Sequence, residues 1–177
     1  MRLKQINSEV FSSDEPIVKV GPREIAFLKE KLAVAPRGRV RLCAHSNSGD
    51  LLHEMIIAMA GSTYVRPHKH QAKSESFHVI EGIVDVVVFA EGGTISEIIK
   101  LGEPASGRYF YYRLSSPVFH TLLIRAAPLV IHETTNGPFH KEDAIFAEWA
   151  PAEEDREAAR AYLERLASSV ETFQKAP

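Results

Sequence analysis

Between residues 54 and 133, hydrophobic and polar positions follow one another in short runs that favour β-strands. The runs at residues 55–59, 62–66, 83–89 and 119–124 are rich in β-branched and aromatic side chains. Gly, Pro and Asn separate these runs, and these residue types favour turns. Since no helical pattern interrupts the series, it is typical of an antiparallel β-sandwich or barrel.

Two helical patterns flank this β-rich region. Apolar positions recur on one side of each pattern: Ile25, Leu28 and Leu32 in the first, and Ala158, Tyr162, Leu166 and Val170 in the second. We therefore predict a mainly β fold with an N-terminal helix and a C-terminal helix. Residues 1–38 form an extension with short strands and a helix, residues 39–148 form the β-barrel, and residues 149–177 form a helix packed on the barrel.

Composition and charge limit the classes of partner. Of the 177 residues, 45% are hydrophobic and 25% are charged, which is ordinary for a globular protein. The formal net charge of -2 argues against nucleic-acid and membrane partners. No apolar run approaches the roughly 20 residues that span a bilayer, and the first residues lack the apolar core of a secretory signal. The single cysteine, Cys43, cannot form an internal disulfide, which fits a cytoplasmic location.

The clearest chemical signal lies between residues 61 and 82. His68 and His70 are two positions apart, so on a strand both imidazoles point to the same face. Glu75 follows after four residues, and His120 follows a separate segment that contains proline. Three neutral imidazoles and one carboxylate suit a single divalent ion such as Mn, Fe, Co, Ni or Zn. Taken alone, His68 and His70 also fit a pair of solvent-facing strand histidines.

Strand alternation nominates two neighbours of this cluster. If His68 and His70 face the barrel interior, Tyr64 and Arg66 share that face. We therefore expect Tyr64 and Arg66 to bind substrate, since the planar guanidinium of Arg66 can hold a carboxylate or a phosphate. An ordinary salt bridge at the barrel rim is the alternative for Arg66.

An aromatic run and a late strand supply further candidates. Tyr109 and Tyr111 share one face of the run at residues 109–112, and we assign Tyr109 to substrate binding and Tyr111 to catalysis as a weak general acid. Core packing is the other role open to both. His132 and Glu133 point to opposite faces, so only one enters the barrel. Glu133 is the candidate general base, or a hydrogen-bonding partner of a metal ligand.

The spacing Gly-x6-His-x-His-x4-Glu-x6-Gly at residues 61–82 resembles the first motif of the cupin superfamily, and the segment ending at His120 resembles the second. Tyr-Val-Arg-Pro-His-Lys-His at residues 64–70, with further blocks at residues 74–82, 132–139 and 149–153, resembles the WbuC family of cupin-fold metalloproteins. The chain departs from the usual motifs, because six residues rather than five separate Gly61 from His68. In addition, Ser115-Ser-Pro117 replaces the usual Pro-x-Gly.

The resemblance implies a cupin double-stranded β-helix, which is a jelly-roll barrel. It also implies one divalent metal ion (Zn, Fe, Mn or Ni) on His68, His70, Glu75 and His120. The narrower family suggests bacterial surface-polysaccharide metabolism, and therefore a sugar or nucleotide sugar as substrate.

Three functions stay open at this point. The first is a metal-dependent enzyme of isomerase or epimerase type acting on a small polar substrate. The second is an Fe(II)-dependent oxygenase, and the third is a non-catalytic, metal-dependent ligand-binding or sensor module. Exposed strand edges also lead us to expect a homo-oligomer, most simply a dimer.

Overall fold

The computed structural model describes residues 2–175, so residues 1, 176 and 177 of the predicted terminal segments lie outside the described part. The elements are β1 (Lys4–Gln5), β2 (Val10–Ser12), α1 (Pro22–Leu32), β3 (Arg39–Cys43), β4 (Leu52–Met59), β5 (His68–His70), β6 (Glu75–Phe89), β7 (Ile95–Gly102), β8 (Tyr111–Leu114), β9 (Phe119–Asn136), β10 (Ala144–Phe146) and α2 (Arg156–Lys175). Single helical turns at Pro104–Ser106 and Lys141–Asp143 complete the set.

The two longest strands, β6 and β9, each cross both halves of the sheet. The first half of β6 pairs with β8 and with the second half of β9, where Glu75 lies opposite Thr135. The second half of β6 pairs with β7 and with the first half of β9, where Val88 lies opposite His120. On the far side of β9, strands β4, β3, β2 and β1 extend one half of the sheet, and β5 and β10 extend the other.

This pairing is antiparallel throughout apart from β2 with β3. The two halves face each other as the layers of a jelly roll. The fold class predicted from the sequence is therefore confirmed: it is a mainly β, cupin-type double-stranded β-helix with one helix before it and one after it.

Three apolar clusters hold the layers together. The interior cluster lies between the two halves of the sheet and includes Met55, Ile57, Phe77, Val79, Val84, Val86, Leu122 and Ile131. Helix α1 covers the outer face of one half, where Leu28 packs with Val40, Leu42 and Ile56. Helix α2 covers the outer face of the other half, where Leu166 and Val170 pack with Val87, Phe89 and Leu123. Burial of apolar surface, at about 25 cal/mol per Å², fixes both helices to the sheet.

Residues 62–66 depart from the prediction because they form no strand. They connect β4 to β5, and hydrogen bonds of side chains fix them to the rest of the fold. The hydroxyl of Thr63 donates to the carbonyl oxygen of Gly38, and the hydroxyl of Thr121 donates to that of Val65. Because the segment is irregular, strand alternation does not extend backwards from His68.

Candidate metal centre

The short strand β5 brings two of the candidate ligands to strands from elsewhere in the chain. His68 and His70 lie on the same face of β5, and His68 is paired with His120 at the start of β9. Glu75 is the first residue of β6 and follows a turn. One ligand atom from each of these four residues can be chosen so that all lie within 4.8 Å of one another. The structure thus brings together the four predicted ligands.

Backbone carbonyls fix the orientation of two of the imidazoles. Nδ1 of His68 lies 2.9 Å from the carbonyl oxygen of Arg66, and Nδ1 of His120 lies 3.1 Å from that of Val118. Because a carbonyl oxygen only accepts hydrogen bonds, we assign the ring proton to Nδ1 in both residues. Each Nε2 then keeps a lone pair, as in imidazoles that bind metals.

The carboxylate of Glu75 lies among polar groups from three other elements. Its Oε2 is 2.9 Å from Nε2 of His70, and its Oε1 is 3.3 Å from Nε2 of His120. The hydroxyl of Tyr112 donates a hydrogen bond of 3.1 Å to the same Oε1. Both oxygens of this buried carboxylate therefore have polar neighbours, and the Tyr112 hydroxyl offsets part of the cost of burying its charge.

The electrostatics of the cluster favour a neutral His68 and an ionised Glu75, which are two of the charge states that a cation needs. Burial, aided by neighbouring His120, lowers the pKa of His68 to about 4. Burial acts to raise the pKa of Glu75, but the adjacent imidazoles of His120 and His70 hold that pKa well below its usual range. Burial opposes a charge on His120, whereas the Glu75 carboxylate raises the pKa of His120 above its ordinary value. A neutral His68 beside an ionised Glu75 is suited to bind a divalent ion.

The donor atoms fit a divalent metal ion. Nε2 of His120 is buried and has no hydrogen-bond partner among residues 2–175, although Oε1 of Glu75 lies 3.3 Å away. A buried nitrogen with a free lone pair is costly unless something satisfies it. Three imidazole nitrogens and a carboxylate oxygen around one point are a donor set typical of Zn, Fe, Mn or Ni.

Glu133 lies one cross-strand row away from Glu75 and on the same interior side. It is paired with Met55 on β4 and with Phe77 on β6, both of which belong to the interior cluster. Burial and the nearby Glu75 raise the pKa of Glu133 to about 8. His132 points the other way, with Nε2 3.6 Å from Oε1 of Glu54. Of this adjacent pair, Glu133 is the residue that enters the barrel.

The structure corrects the assignment of the tyrosines in the aromatic run. Tyr109 is 73% exposed and Tyr111 is 52% exposed, so neither lines the interior. Tyr112 lies opposite the interior residue Phe77 and is only 7% exposed. The reason is the register of β8 with β6, which turns Tyr112 and Leu114 inward and Tyr111 outward. Substrate binding by Tyr109 and catalysis by Tyr111 are therefore not supported by their positions.

Tyr64 also differs from the prediction. Its hydroxyl donates to the carbonyl oxygen of Pro151 at 2.9 Å, and its ring packs edge-on against Tyr162 of α2 at 5.8 Å. Burial raises the pKa of Tyr64 far above its ordinary value. Because residues 62–66 are a connection and not a strand, Tyr64 packs on the C-terminal helix instead of facing the metal ligands.

Arg66 lies beside the cluster, but its guanidinium is partly engaged. Its Nη2 donates to the carbonyl oxygen of Ala147 at 2.8 Å, and its Cζ lies 5.4 Å from the centre of the Phe146 ring. The Phe146 ring is in turn 6.0 Å from the ring of His68. Nε of Arg66 is buried and has no hydrogen-bond partner among residues 2–175. The position of Arg66 is compatible with a substrate contact next to His68.

Two further residues of interest escaped the sequence analysis. Tyr112 could have been found from the alternation of Tyr112 with apolar Leu114, which places both on the inner face. The sequence pattern did not point to Arg41, because the apolar residues Val40 and Leu42 of β3 look as if they face the interior. In the structure, Val40 and Leu42 pack beneath α1 on the outer face of the sheet. Arg41 lies on the opposite face of β3, together with Cys43 of the interior cluster. Arg41 is exposed, and within the described part of the chain its side chain has no ion-pair partner.

The family model described as "Domain of unknown function (DUF6016)" matches residues 23–101. No protein with a curated description matches the sequence. Neither helix within residues 2–175 has the length and apolar character required to cross a membrane.

Three solved structures are similar to this chain. A protein from Shewanella oneidensis is 12% identical, with coverage of 70% of this chain and 78% of that one and a TM-score of 0.49. A mutant salicylate 1,2-dioxygenase from Pseudoaminobacter salicylatoxidans is 20% identical, with coverage of 66% and 34% and a TM-score of 0.49. KdgF from Halomonas sp. is 15% identical, with coverage of 62% and 86% and a TM-score of 0.46. This chain thus spans about a third of the dioxygenase, and these likenesses assign neither substrate nor reaction.

Proposed function

We propose that the protein is a metal-binding cupin in which His68, His70, Glu75 and His120 hold one divalent ion (Zn, Fe, Mn or Ni). The observation that carries the proposal is the convergence of these side chains. The Nδ1 atoms of His68 and His120 are occupied by backbone carbonyls, and Nε2 of His120 is buried without a good hydrogen bond. Hydrogen bonds within residues 2–175 leave Nε2 of His120 without a partner, whereas a bound cation would accept its lone pair.

We further propose that the protein is an enzyme acting on a small polar molecule. The sequence blocks that resemble the WbuC family point to a sugar or nucleotide sugar of bacterial surface-polysaccharide metabolism. When bound, the metal ion would act as a Lewis acid on a carbonyl or hydroxyl oxygen. The chain itself would supply the groups that bind the substrate and move protons.

Glu133 is the group best placed to move a proton. It lies inside the barrel in the row next to Glu75, and burial and that neighbour raise its pKa to about 8. A carboxyl group with a pKa near neutrality exchanges protons readily at physiological pH, which suits general acid–base catalysis. This favours an isomerase- or epimerase-type reaction, in which a proton is removed and returned.

Arginine side chains supply positive charge for an anionic substrate. Arg66 lies against Phe146 beside His68, and exposed Arg41 shares a face with Cys43. Arg41 also acts to lower the pKa of Glu133, so its charge is felt at the proposed base. Carboxylate or phosphate groups are the natural partners of such guanidinium groups.

The test is turnover by metal-loaded protein on a panel of sugars, sugar acids and nucleotide sugars, with Glu133→Gln beside it. We expect Glu133→Gln to lower turnover by about 100-fold or more. Glu54→Gln is the matched control, because Glu54 faces outward toward His132, and it should retain activity. Oxygen uptake with Fe(II) would favour the oxygenase instead. Ligand binding without turnover would favour the non-catalytic module.

A further inference from the structure

The hydroxyl of Tyr112 contacts a carboxylate oxygen that His120 also approaches. It donates a 3.1 Å hydrogen bond to Oε1 of Glu75, and Nε2 of His120 lies 3.3 Å from the same atom. The other oxygen of Glu75 lies 2.9 Å from Nε2 of His70. When His70 and His120 direct their Nε2 lone pairs at a cation, neither can donate from Nε2 to Glu75. Among residues 2–175, the hydroxyl of Tyr112 is the donor to Glu75 that remains.

Packing fixes the ring of Tyr112 where this hydrogen bond requires it. Tyr112 is paired with Phe77 across β8 and β6, and the two rings pack edge-on with their centres 5.2 Å apart. An ordinary phenol loses its proton only at about pH 10, so the hydroxyl of Tyr112 is a hydrogen-bond donor at neutral pH.

From these contacts we propose that Tyr112 is a positioning residue that orients the Glu75 carboxylate for metal binding. The inference rests on the proposed metal site. A carboxylate that is free to rotate must be ordered when the ion binds, and this ordering weakens affinity. A fixed donor on Oε1 orders it beforehand, and partners of this kind typically change metal affinity by about 10- to 100-fold.

Adjacent tyrosines on β8 offer a matched pair of variants. Tyr112→Phe removes only the inward hydroxyl and keeps the ring that packs on Phe77. Tyr111→Phe removes an outward hydroxyl from a side chain that is 52% exposed. Both variants thus lose one oxygen atom from the same strand, but only one of them loses the contact with Glu75.

The experiment measures the Kd for Zn²⁺ by competition with a chelator in the wild type and both variants. We expect Tyr112→Phe to weaken binding by about 10- to 100-fold, and Tyr111→Phe to stay within about twofold. A double-mutant cycle then asks whether Tyr112 acts through Glu75. In a Glu75→Ala background, adding Tyr112→Phe should cause no further loss.

For each variant, the melting temperature is measured without metal and again with Zn²⁺. The difference between the two reports metal affinity separately from any loss of fold stability. Wild-type affinity in Tyr112→Phe would overturn the inference. So would an equal loss when Tyr112→Phe is added to Glu75→Ala. If the wild type itself took up no metal, the proposed function would fail first, so the two failures are distinguishable.

Discussion

Gly82 lies close to Pro128 where the two longest strands bend. A Cβ atom on Gly82 would lie 2.7 Å from the carbonyl oxygen of Pro128, and Gly82 has a φ of +90° that favours glycine. β6 and β9 pass from one half of the sheet to the other at this point. The bend brings the first residues of β6 close to the first residues of β9, although they lie at opposite ends of the paired strands. Glu75 at the start of β6 and His120 at the start of β9 thereby reach the same site.

Substitution of Gly82 should therefore damage both the fold and the metal site. We expect Gly82→Ala to lower the free energy of unfolding by about 3 kcal/mol or more, because strain from the positive φ adds to a backbone clash. Gly107→Ala is the control, since Gly107 has a φ of +73° but no atom near its Cβ position. It should cost only about 1 kcal/mol. Urea unfolding measures both, and equal losses would refute the steric argument.

A buried ion cluster makes a second, independent prediction. Asp85 is 2% exposed and bonds to Arg108 at 3.1 Å and to Arg125 at 2.7 Å. Both arginines are partly solvated, so we expect Asp85→Ala to cost about 1–3 kcal/mol rather than the larger value of a fully buried pair. The exposed pair of Arg160 and Glu164 provides the control. Glu164→Ala should change the unfolding free energy by less than about 0.5 kcal/mol, and similar losses in both variants would contradict the prediction.

The low pKa of His68 predicts acid sensitivity of the metal-free protein. Its folded pKa of about 4 lies below the ordinary 6.5, so between these values the folded state binds fewer protons. The stability that His68 contributes should be fully present above pH 6.5. It should be lost as pH drops through this window, by up to about 3 kcal/mol. The folded pKa of Glu75 is lowered from 4.5, so Glu75 makes stability depend on pH only near and below pH 4.5. The folded pKa of His120 is raised, so its effect on stability falls above pH 6.5.

Urea unfolding of chelator-treated protein carrying Glu133→Gln measures this slope between pH 4.5 and 6.5, since Glu133 contributes an opposite slope in the same window. Adding His68→Gln should flatten the slope, because glutamine cannot take up the proton. Adding His78→Gln, on the exposed side of β6, should leave the slope unchanged. An unchanged slope in His68→Gln would show that another group carries the acid sensitivity.

The stability that Glu133 contributes should change with pH in the opposite direction to that of His68. Its folded pKa of about 8 lies above the ordinary 4.5, so the folded state binds more protons between these values. The stabilising contribution is present below pH 4.5 and is lost as pH rises toward 8. In metal-free protein, Glu133→Gln should therefore be more stable than the wild type at pH 8, by about 2 kcal/mol or more. Glu54→Gln is the control, and a destabilised Glu133→Gln would contradict the assignment.

Local sequence spacing was sufficient to identify three of the four candidate ligands. His68, His70 and Glu75 lie within eight residues, so a strand and one turn nearly determine how they meet. His120 needed a long-range contact, the pairing of β5 with β9, which a motif can suggest but strand alternation cannot. The mainly β fold was equally accessible, because turn residues separate the short runs.

The errors have physical causes that a single sequence hides. Tyr64 was assigned inward by extending an alternation into a segment that is not a strand. Arg41 was missed because α1 covers the outer face of β3 and makes Val40 and Leu42 the buried residues on that side. Alternation shows which residues share a face of a strand. Only the packing of helices on the sheet shows whether the apolar face is the inner one.

The central claim is that the chain holds one divalent ion on His68, His70, His120 and Glu75. Elemental mass spectrometry of purified, untagged protein tests it most directly, with His70→Ala and the outward-facing His78→Ala beside the wild type. We predict about one metal ion per chain in the wild type and in His78→Ala, and a loss of nearly all metal in His70→Ala. A wild type that contains no metal and takes up none on reconstitution would contradict the account, as would metal retained in His70→Ala.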